Sequence, residues 1–388
     1  MTEADDILRL HEKYTGVLDI KSDLGVHSKE DLGKAYTPGV SIISKLIYQH
    51  PELKSKYTMS GKLVALITDG SAVLGLGNIG PAAGLPVVEG KALLYKDLAN
   101  INAIPIAVEQ KSADEIVETI KNVSLSFAGI HLEDIAAPKC FEIEEKLKKE
   151  LDIPVYHDDQ EGTAIVVLAG LINALKVVNK KPEDVKIVVN GVGASGLATA
   201  NLLWAVGYQR ITLVDIHGVV TSKDDQYNKY QTDAARTFGT PDELKGQQLS
   251  DVIGGQDVFI GLSDANVLTK EDVQQMNDDP IIFALANPVP EIDPQVGRDA
   301  GAKIVATGSS EYPNQVNNIL AFPGLFKGLL ASGLKQVDFN LQKIVAEALA
   351  DILRHPGAEE IIPSVFDERV VGGVSNALIN YAKDTRKE

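Results

Sequence analysis

Glu133 and Asp134 close the run FAGIHLED, and Asp158 and Asp159 close IPVYHDD. Both runs are short, apolar and bounded by turn signals, so each carboxylate pair stands at the carboxyl end of an expected strand. In open α/β sheets ligands bind outside those ends. Carboxylates gathered there repel one another unless a cation joins them. A donor set made only of oxygens favours Mg²⁺ or Mn²⁺ over zinc. Acidic residues also begin loops and cap helices, and Asp159 stands where it could cap a helix after Gly162. Taken singly, each pair reads more simply as a loop start. Taken together, beside a dinucleotide-binding fold, they favour a metal.

That fold is signalled by NGVGASG, Asn190 to Gly196, which follows the strand-like VKIVVN and precedes the helix-like LATANLLWAVG. In such a context Gly191 permits a tight turn, Gly193 lets backbone approach a pyrophosphate, and Gly196 permits close helix packing. Val192, Ala194 and Ser195 complete the loop that opens onto the helix N-terminus, where free N–H groups attract phosphate. RITLVD then ends in Asp215, at the spacing of a carboxylate that binds ribose hydroxyls. A second fingerprint, VLGLGNIG at Val73 to Gly80, lacks that context. No strand ending in an acid follows it at the right distance. The run PAAGLPVVEGKALLY puts two prolines where a phosphate-binding helix should begin. This loop is either a turn for close backbone packing or a loop whose bare backbone meets a small substrate.

The elements that must position these residues follow a regular rhythm. ADDILRLHEKY and GVSIISKLIYQ read as helices. KLVALIT, AIPIAV, FAGIHLE and IPVYH read as strands, with the amphipathic segments SADEIVETIKNV and FEIEEKLKKEL between them. After the long apolar helix TAIVVLAGLINALKVV, the strands VKIVVN, RITLVD, DVFIGLS, PIIFALAN and AKIVATG alternate with helix-like segments. This predicts an α/β unit over 1–160, then a Rossmann-type doubly wound parallel sheet and helical tail over 161–388. The 388 residues and the 44% apolar fraction allow two ordinary cores. A net charge of −17 argues against nucleic acid or an anionic membrane as partner. The lone Cys140 excludes an internal disulfide framework and suits a reducing cytoplasm. The N-terminus lacks the basic-then-apolar order of a signal peptide, and the apolar stretch Thr163 to Val178 is short for a membrane span. A soluble cytoplasmic protein is expected.

AYTPGV, TDGSAVLGLGNIGP, VVEGKALLYK, HLEDIAAPKC, HDDQEGTA, NGVGASG, LVDIHG, ALANPVPE and NNILAFPG occur in the order found in malic enzymes. The chain resembles that family from about Tyr36 to Gly324, and its length resembles the short bacterial branch. The resemblance implies an N-terminal malic-enzyme domain ahead of the Rossmann domain. It implies oxidative decarboxylation of L-malate to pyruvate and CO₂ with NAD or NADP and Mg²⁺ or Mn²⁺, and a homodimer. By motif, Glu133, Asp134 and Asp159 would ligate the metal. Lys91 would be the general base, Tyr36 the general acid, and Asp158 the partner that tunes the lysine. Asn287 and Asn318 would meet substrate and nicotinamide, with Asn317 beside them. The first glycine loop would lie over the substrate rather than under the pyrophosphate. Ala72 stands where larger relatives carry an arginine for a malate carboxylate. Backbone N–H groups around Gly77 and Asn78 are the alternative partners.

The chemistry asks for these types on its own terms. A lysine accepts the malate hydroxyl proton only if its pKa falls well below about 10.4, through burial and a nearby cation. Lys91 in PVVEGKALLY is either such a lysine or an ordinary surface one. Tyr36, before a Pro-Gly turn, is either the acid that protonates the three-carbon product or a packing tyrosine. Asp215 predicts NAD over NADP, because a carboxylate repels the 2′-phosphate. Two other readings remain: a malolactic-type enzyme that retains its NAD and releases lactate, and a non-catalytic dinucleotide-sensing protein. Net NADH formation separates the first from oxidative decarboxylation. Metal-dependent turnover excludes the second.

Overall fold

A computed structural model describes residues 2–386. It begins with an arm of helices, α1 (Glu3–Tyr14), α2 (Lys29–Ala35) and α3 (Gly39–Gln49), then the short α4 (Lys54–Tyr57). A first sheet follows, built from β1 (Leu63–Thr68), α5 (Pro81–Ala99), β2 (Asn102–Ala107), α6 (Ala113–Val123), β3 (Gly129–Glu133), α7 (Lys139–Glu150) and β4 (Val155–His157). Its strands are parallel, in the order β2-β1-β3-β4. The chain leaves β1 toward β2 and returns to β3 on the other side. The reversal opens a crevice at the carboxyl ends of β1 and β3, where Thr68 lies opposite Glu133.

A five-residue π-helical turn, Asp158–Gly162, runs straight into α8 (Thr163–Val178). The π-turn and α8 together, Asp158–Val178, are long and apolar enough to span a membrane, but most of that stretch is buried in the protein core. The second sheet comprises β5 (Ile187–Asn190), α9 (Ala194–Ala205), β6 (Ile211–Asp215), β7 (Gly218–Val219), α10 (Lys229–Phe238), α11 (Leu249–Val252), β8 (Val258–Gly261), α12 (Lys270–Gln275), β9 (Ile281–Ala284), α13 (Pro294–Asp299) and β10 (Ile304–Thr307). Its order is β10-β9-β8-β5-β6-β7, parallel except for the edge strand β7. Here the reversal falls between β5 and β8. The tail forms α14 (Phe322–Ser332), α15 (Phe339–Ala350) and α16 (Arg369–Thr385).

Each expected strand forms, and the structure adds details that periodicity did not show. The proline-bearing run after the first glycine loop becomes α5, 19 residues long. Pro81 sits in the first turn, where a missing N–H costs nothing, and Pro86 is carried inside the helix. Asp159 does not cap α8, because the π-turn leaves Gly162 at that position without a side-chain cap. The α14 helix also crosses back to the first sheet. Phe322 and Phe326, both fully buried, lie 4.9 and 5.6 Å from the ring of Tyr95 on α5. Burying each phenyl ring contributes about 1.5–3 kcal/mol. This ties the wall of the crevice to the C-terminal helices.

Candidate active site

Two strand ends and one helix build the centre. On β3 and at the end of β4, side chains two residues apart share a face. His131 therefore stands beside Glu133, and Tyr156 beside Asp158. His131 Nε2 and Glu133 Oε2 are 2.9 Å apart, and the Tyr95 hydroxyl bonds the other ring nitrogen at 2.8 Å. Tyr156 donates to Asp158 Oδ1 at 2.6 Å. From α5, Lys91 Nζ donates to Glu133 Oε2 at 2.6 Å and to Asp158 Oδ2. The Phe322 ring lies 5.4 Å from the same ammonium. Asn318 donates to the Asp158 backbone oxygen at 3.2 Å and to Oδ2 at 3.3 Å. Thr163 in turn donates to Asn318 Oδ1 at 3.3 Å. His131, Tyr95, Tyr156, Thr163 and Phe322 are additions to the residues expected from sequence. The spacing of two in HLE and YHD was the signal that could have found His131 and Tyr156.

Glu133, Asp134 and Asp159 face one another, with an oxygen from each lying within 4.8 Å of the other two. The Asp134 N–H donates to Asp159 Oδ2 at 2.9 Å, and Asp134 itself takes the left-handed φ of 54°. Its Oδ2 is buried and has no hydrogen-bond partner. Burial, opposed by Lys91, pushes Glu133 up to about 7. Burial and then its neighbours Glu133 and Asp159 push Asp134 to about 8. Burial and Glu133 raise Asp159 to about 6. Three crowded carboxyls, one with an orphaned oxygen, fit a divalent cation.

Lys91 departs from expectation. Burial lowers its affinity for a proton, but Asp158, Glu133 and Asp159 outweigh that and raise its pKa above the ordinary lysine value. The chain alone therefore holds this lysine charged, because anionic neighbours dominate desolvation. Asp158 is the mirror case. Burial opposes its charge, yet Lys91 and His131 hold its carboxyl below the usual range.

The first glycine loop lies against the second sheet's loops. A Cβ on Gly75 would lie 3.8 Å from Asn287 O, and Leu74 and Leu76 project into solvent at its tip. The Gly77 N–H already donates to Val73 O at 2.8 Å, so that group is not free for a carboxylate. The Asn78 side chain pairs with Gln110 at 2.7 and 3.3 Å. Asn317 Oδ1 accepts from the Ile319 N–H at 3.0 Å, so that amide caps its own turn. Asn287 Nδ2 donates to Leu285 O at 3.2 Å.

In the second fingerprint, Gly191 has φ 101° and Gly193 caps α9, which starts at Ala194. A Cβ on Gly196 would meet Gly191 O at 1.7 Å. That contact is the close helix packing the third glycine serves. Val192 O is held by the Gln231 side chain at 2.9 Å, and Ser195 lies in the first turn of α9. Asp215 ends β6 beside this loop. Tyr36, by contrast, is 66% exposed on the arm and takes no part in the Lys91 hydrogen-bond network.

The chain matches the family model of the malic enzyme N-terminal domain over residues 19–148, and that of the malic enzyme NAD-binding domain over 160–382. It is 46% identical over 372 residues to an NAD-dependent malic enzyme of Geobacillus stearothermophilus, covering 95% of this chain and 77% of that one. It is 47% identical over 388 residues to a bifunctional malic/malolactic enzyme of Bacillus subtilis, covering 99% and 94%. The crystal structure of an NAD-dependent malic enzyme from Thermotoga maritima superposes with a TM-score of 0.92 at 44% identity, covering 96% of this chain and 98% of that one.

Proposed function

The chain belongs to the malic enzyme family, and from that premise we propose that it converts (S)-malate and NAD⁺ to pyruvate, CO₂ and NADH with a divalent metal, Mg²⁺ or Mn²⁺. The observation that best supports this reading is the convergence of Lys91 and Asp158 on the crowded carboxylates Glu133, Asp134 and Asp159. A cation held by those three would neutralise them and polarise the oxygens of a bound hydroxy acid. With the carboxylates that hold Lys91 charged neutralised by the cation, the lysine would shed its proton to solvent and could then accept the hydroxyl proton, while a bound nicotinamide would supply the hydride acceptor for C2. Asp158 and Asn318 hold the lysine in place for that transfer. Loss of CO₂ leaves enolpyruvate, and Tyr36 returns a proton to its C3. Asn287 and the glycine loop around Gly77 and Asn78 frame the substrate, with the loop acting as a cover. In the proposed division, residues 1–160 bring the metal site and 161–388 the cofactor site.

The homodimer reading is supported by the arm. Helices α1 to α3 hold no buried residue, and the arm exposes Leu8, Ile42 and Tyr48 on its helices and Ile20 and Leu24 in the linker between α1 and α2. An apolar surface of this kind is usually covered, and we assign a second copy of the chain as its cover. The cytoplasmic reading rests on the single cysteine, buried and reduced.

An absorbance assay for NADH with malate and Mn²⁺, run with NAD and with NADP, tests the activity and the cofactor together. Metal-dependent NADH formation is expected, with higher kcat/KM on NAD. The 47% identity to a bifunctional malic/malolactic enzyme also supports a malolactic reading. Lactate release without net NADH would establish that reading instead.

A further inference from the structure

Asp215 ends β6 with its two carboxylate oxygens in different states. Oδ1 accepts from the His217 N–H at 2.8 Å and from the Tyr227 hydroxyl at 2.8 Å. Oδ2 has no hydrogen-bond donor among the described residues. Tyr227 is 8% exposed, and its hydroxyl also lies 3.3 Å from Gly218 O, on the strand that pairs with β6. The tyrosine is thus wedged between the acid and the backbone beside it. Burial first, and then the hydrogen bond to Asp215, raise the Tyr227 pKa above its ordinary value, so it remains a donor throughout the working range. The loop that carries it is anchored as well. The Tyr227 N–H donates to Asp224 O at 3.2 Å, and the Asp224 carboxylate pairs with Lys245 at 3.3 Å. Lys223 pairs with Asp242. Lys223 and Lys245 are thus paired with carboxylates, and the third lysine of this region, Lys229, lies over the Tyr230 ring, 4.5 Å from its centroid.

We propose that Tyr227 is a positioning residue for cofactor choice: it pins Oδ1 of Asp215 so that Oδ2 stays aimed at the ribose hydroxyls of NAD and against the 2′-phosphate of NADP. The proposal rests on the reading of Asp215 as the ribose-binding acid. A carboxylate fixed by two donors cannot swing away from an incoming phosphate, and it loses no rotamer freedom when NAD binds. Without the hydroxyl only the His217 N–H holds Oδ1, and the carboxylate turns more freely on χ2. Its bonds to ribose then carry an ordering cost, and its repulsion of a 2′-phosphate is relieved by rotation.

The test measures NADH and NADPH dissociation constants by quenching of Trp204 fluorescence, for wild type, Tyr227→Phe, Asp215→Asn and the double variant, with Mn²⁺ affinity as a control. Tyr227→Phe should weaken NADH by roughly three- to tenfold and leave NADPH unchanged or tighter. The kcat at saturating NAD and the Mn²⁺ affinity should stay at the wild-type level. In the Asp215→Asn background the tyrosine substitution should no longer move the NADH-to-NADPH ratio. Equal weakening of both cofactors, or no change in either, overturns the proposal for Tyr227. An Asp215→Asn protein with the wild-type ratio overturns the reading of Asp215 itself, a separate outcome. Should Tyr227→Phe fail to fold, Tyr227→Gln, which keeps a donor, is measured against Tyr227→Leu, which does not. Equal ratios in that pair count against the proposal.

Discussion

Asp134 concentrates the tension of the site in one residue, with a left-handed backbone and a buried oxygen that no donor meets. Its pH behaviour follows from the raised carboxyls. Glu133, Asp134 and Asp159 titrate near 7, 8 and 6 in the folded protein, against roughly 4 when unfolded. Across that window the folded state binds more protons than the unfolded one, so these groups lower stability as pH rises. Chelator-treated protein should therefore lose melting temperature between about pH 5 and pH 8, and Mn²⁺ should restore more of it at the upper end. Asp134→Asn should flatten the slope, and an unchanged slope in that variant would sink the shared-site reading. Asp159→Asn should lose Mn²⁺ affinity and turnover yet bind NADH normally. Lys91 makes a second residue-scale case. Lys91→Ala should cut malate oxidation by roughly 10²–10⁴-fold and slow decarboxylation of added oxaloacetate less, because that partial reaction skips the alcohol deprotonation. Tyr36→Phe should chiefly slow proton exchange at C3 of pyruvate. Equal losses across all partial reactions in both variants would defeat the division of roles.

At the scale of elements, the two fingerprints are alike in letters and different in surroundings. The second lies between β5 and α9, where Gly196 meets Gly191 O so closely that no side chain fits. Gly196→Ala must displace either the loop or the helix. It should weaken NADH by roughly tenfold or more, with Mn²⁺ affinity retained. Normal NADH affinity in that variant would remove the loop from the cofactor site. The first fingerprint folds back on itself through Val73 and Gly77 and opens onto α5. In the proposed reading it serves as a cover over the substrate. The π-turn Asp158–Gly162 is held in a comparable way from outside. Glu161 accepts from the His157 N–H at 3.1 Å, from Lys148 on α7 at 2.6 Å and from Gln342 on α15 at 3.0 Å. The segment bearing Asp158 and Asp159 is thereby fixed by α7 before it and α15 far after it in the chain.

The molecule as a whole carries Tyr36, the proposed acid, on an exposed arm, and the Lys91 and carboxylate cluster in a crevice. Ile42 on α3 is 70% exposed, so replacing it leaves the core of a single chain intact. Ile42→Asp should convert the proposed dimer to monomers in light-scattering measurements. It should also lower malate turnover while NADH affinity holds. A variant that stays dimeric would remove this face from the interface.

Short-range physics made part of this protein legible in the chain. Strand ends follow from apolar runs, the cofactor turn from glycines at fixed offsets, and the shared face of His131 and Glu133 from a spacing of two. The family motifs carried the metal and substrate expectations as well. Tertiary structure decided what depends on strand order. Lys91 meets Glu133 and Asp158 across 42 and 67 residues because α5 packs beside a β1 that lies between β2 and β3. Asn318 reaches Asp158 across 160 residues because the chain returns to the first sheet through α14. The same packing decided the charge on Lys91. Burial alone lowers a lysine's pKa, and only the folded neighbours reverse the sign. Periodicity specifies which face of an element is buried. It does not specify which other element will cover that face, and charge, cover and partner are all settled by that second choice.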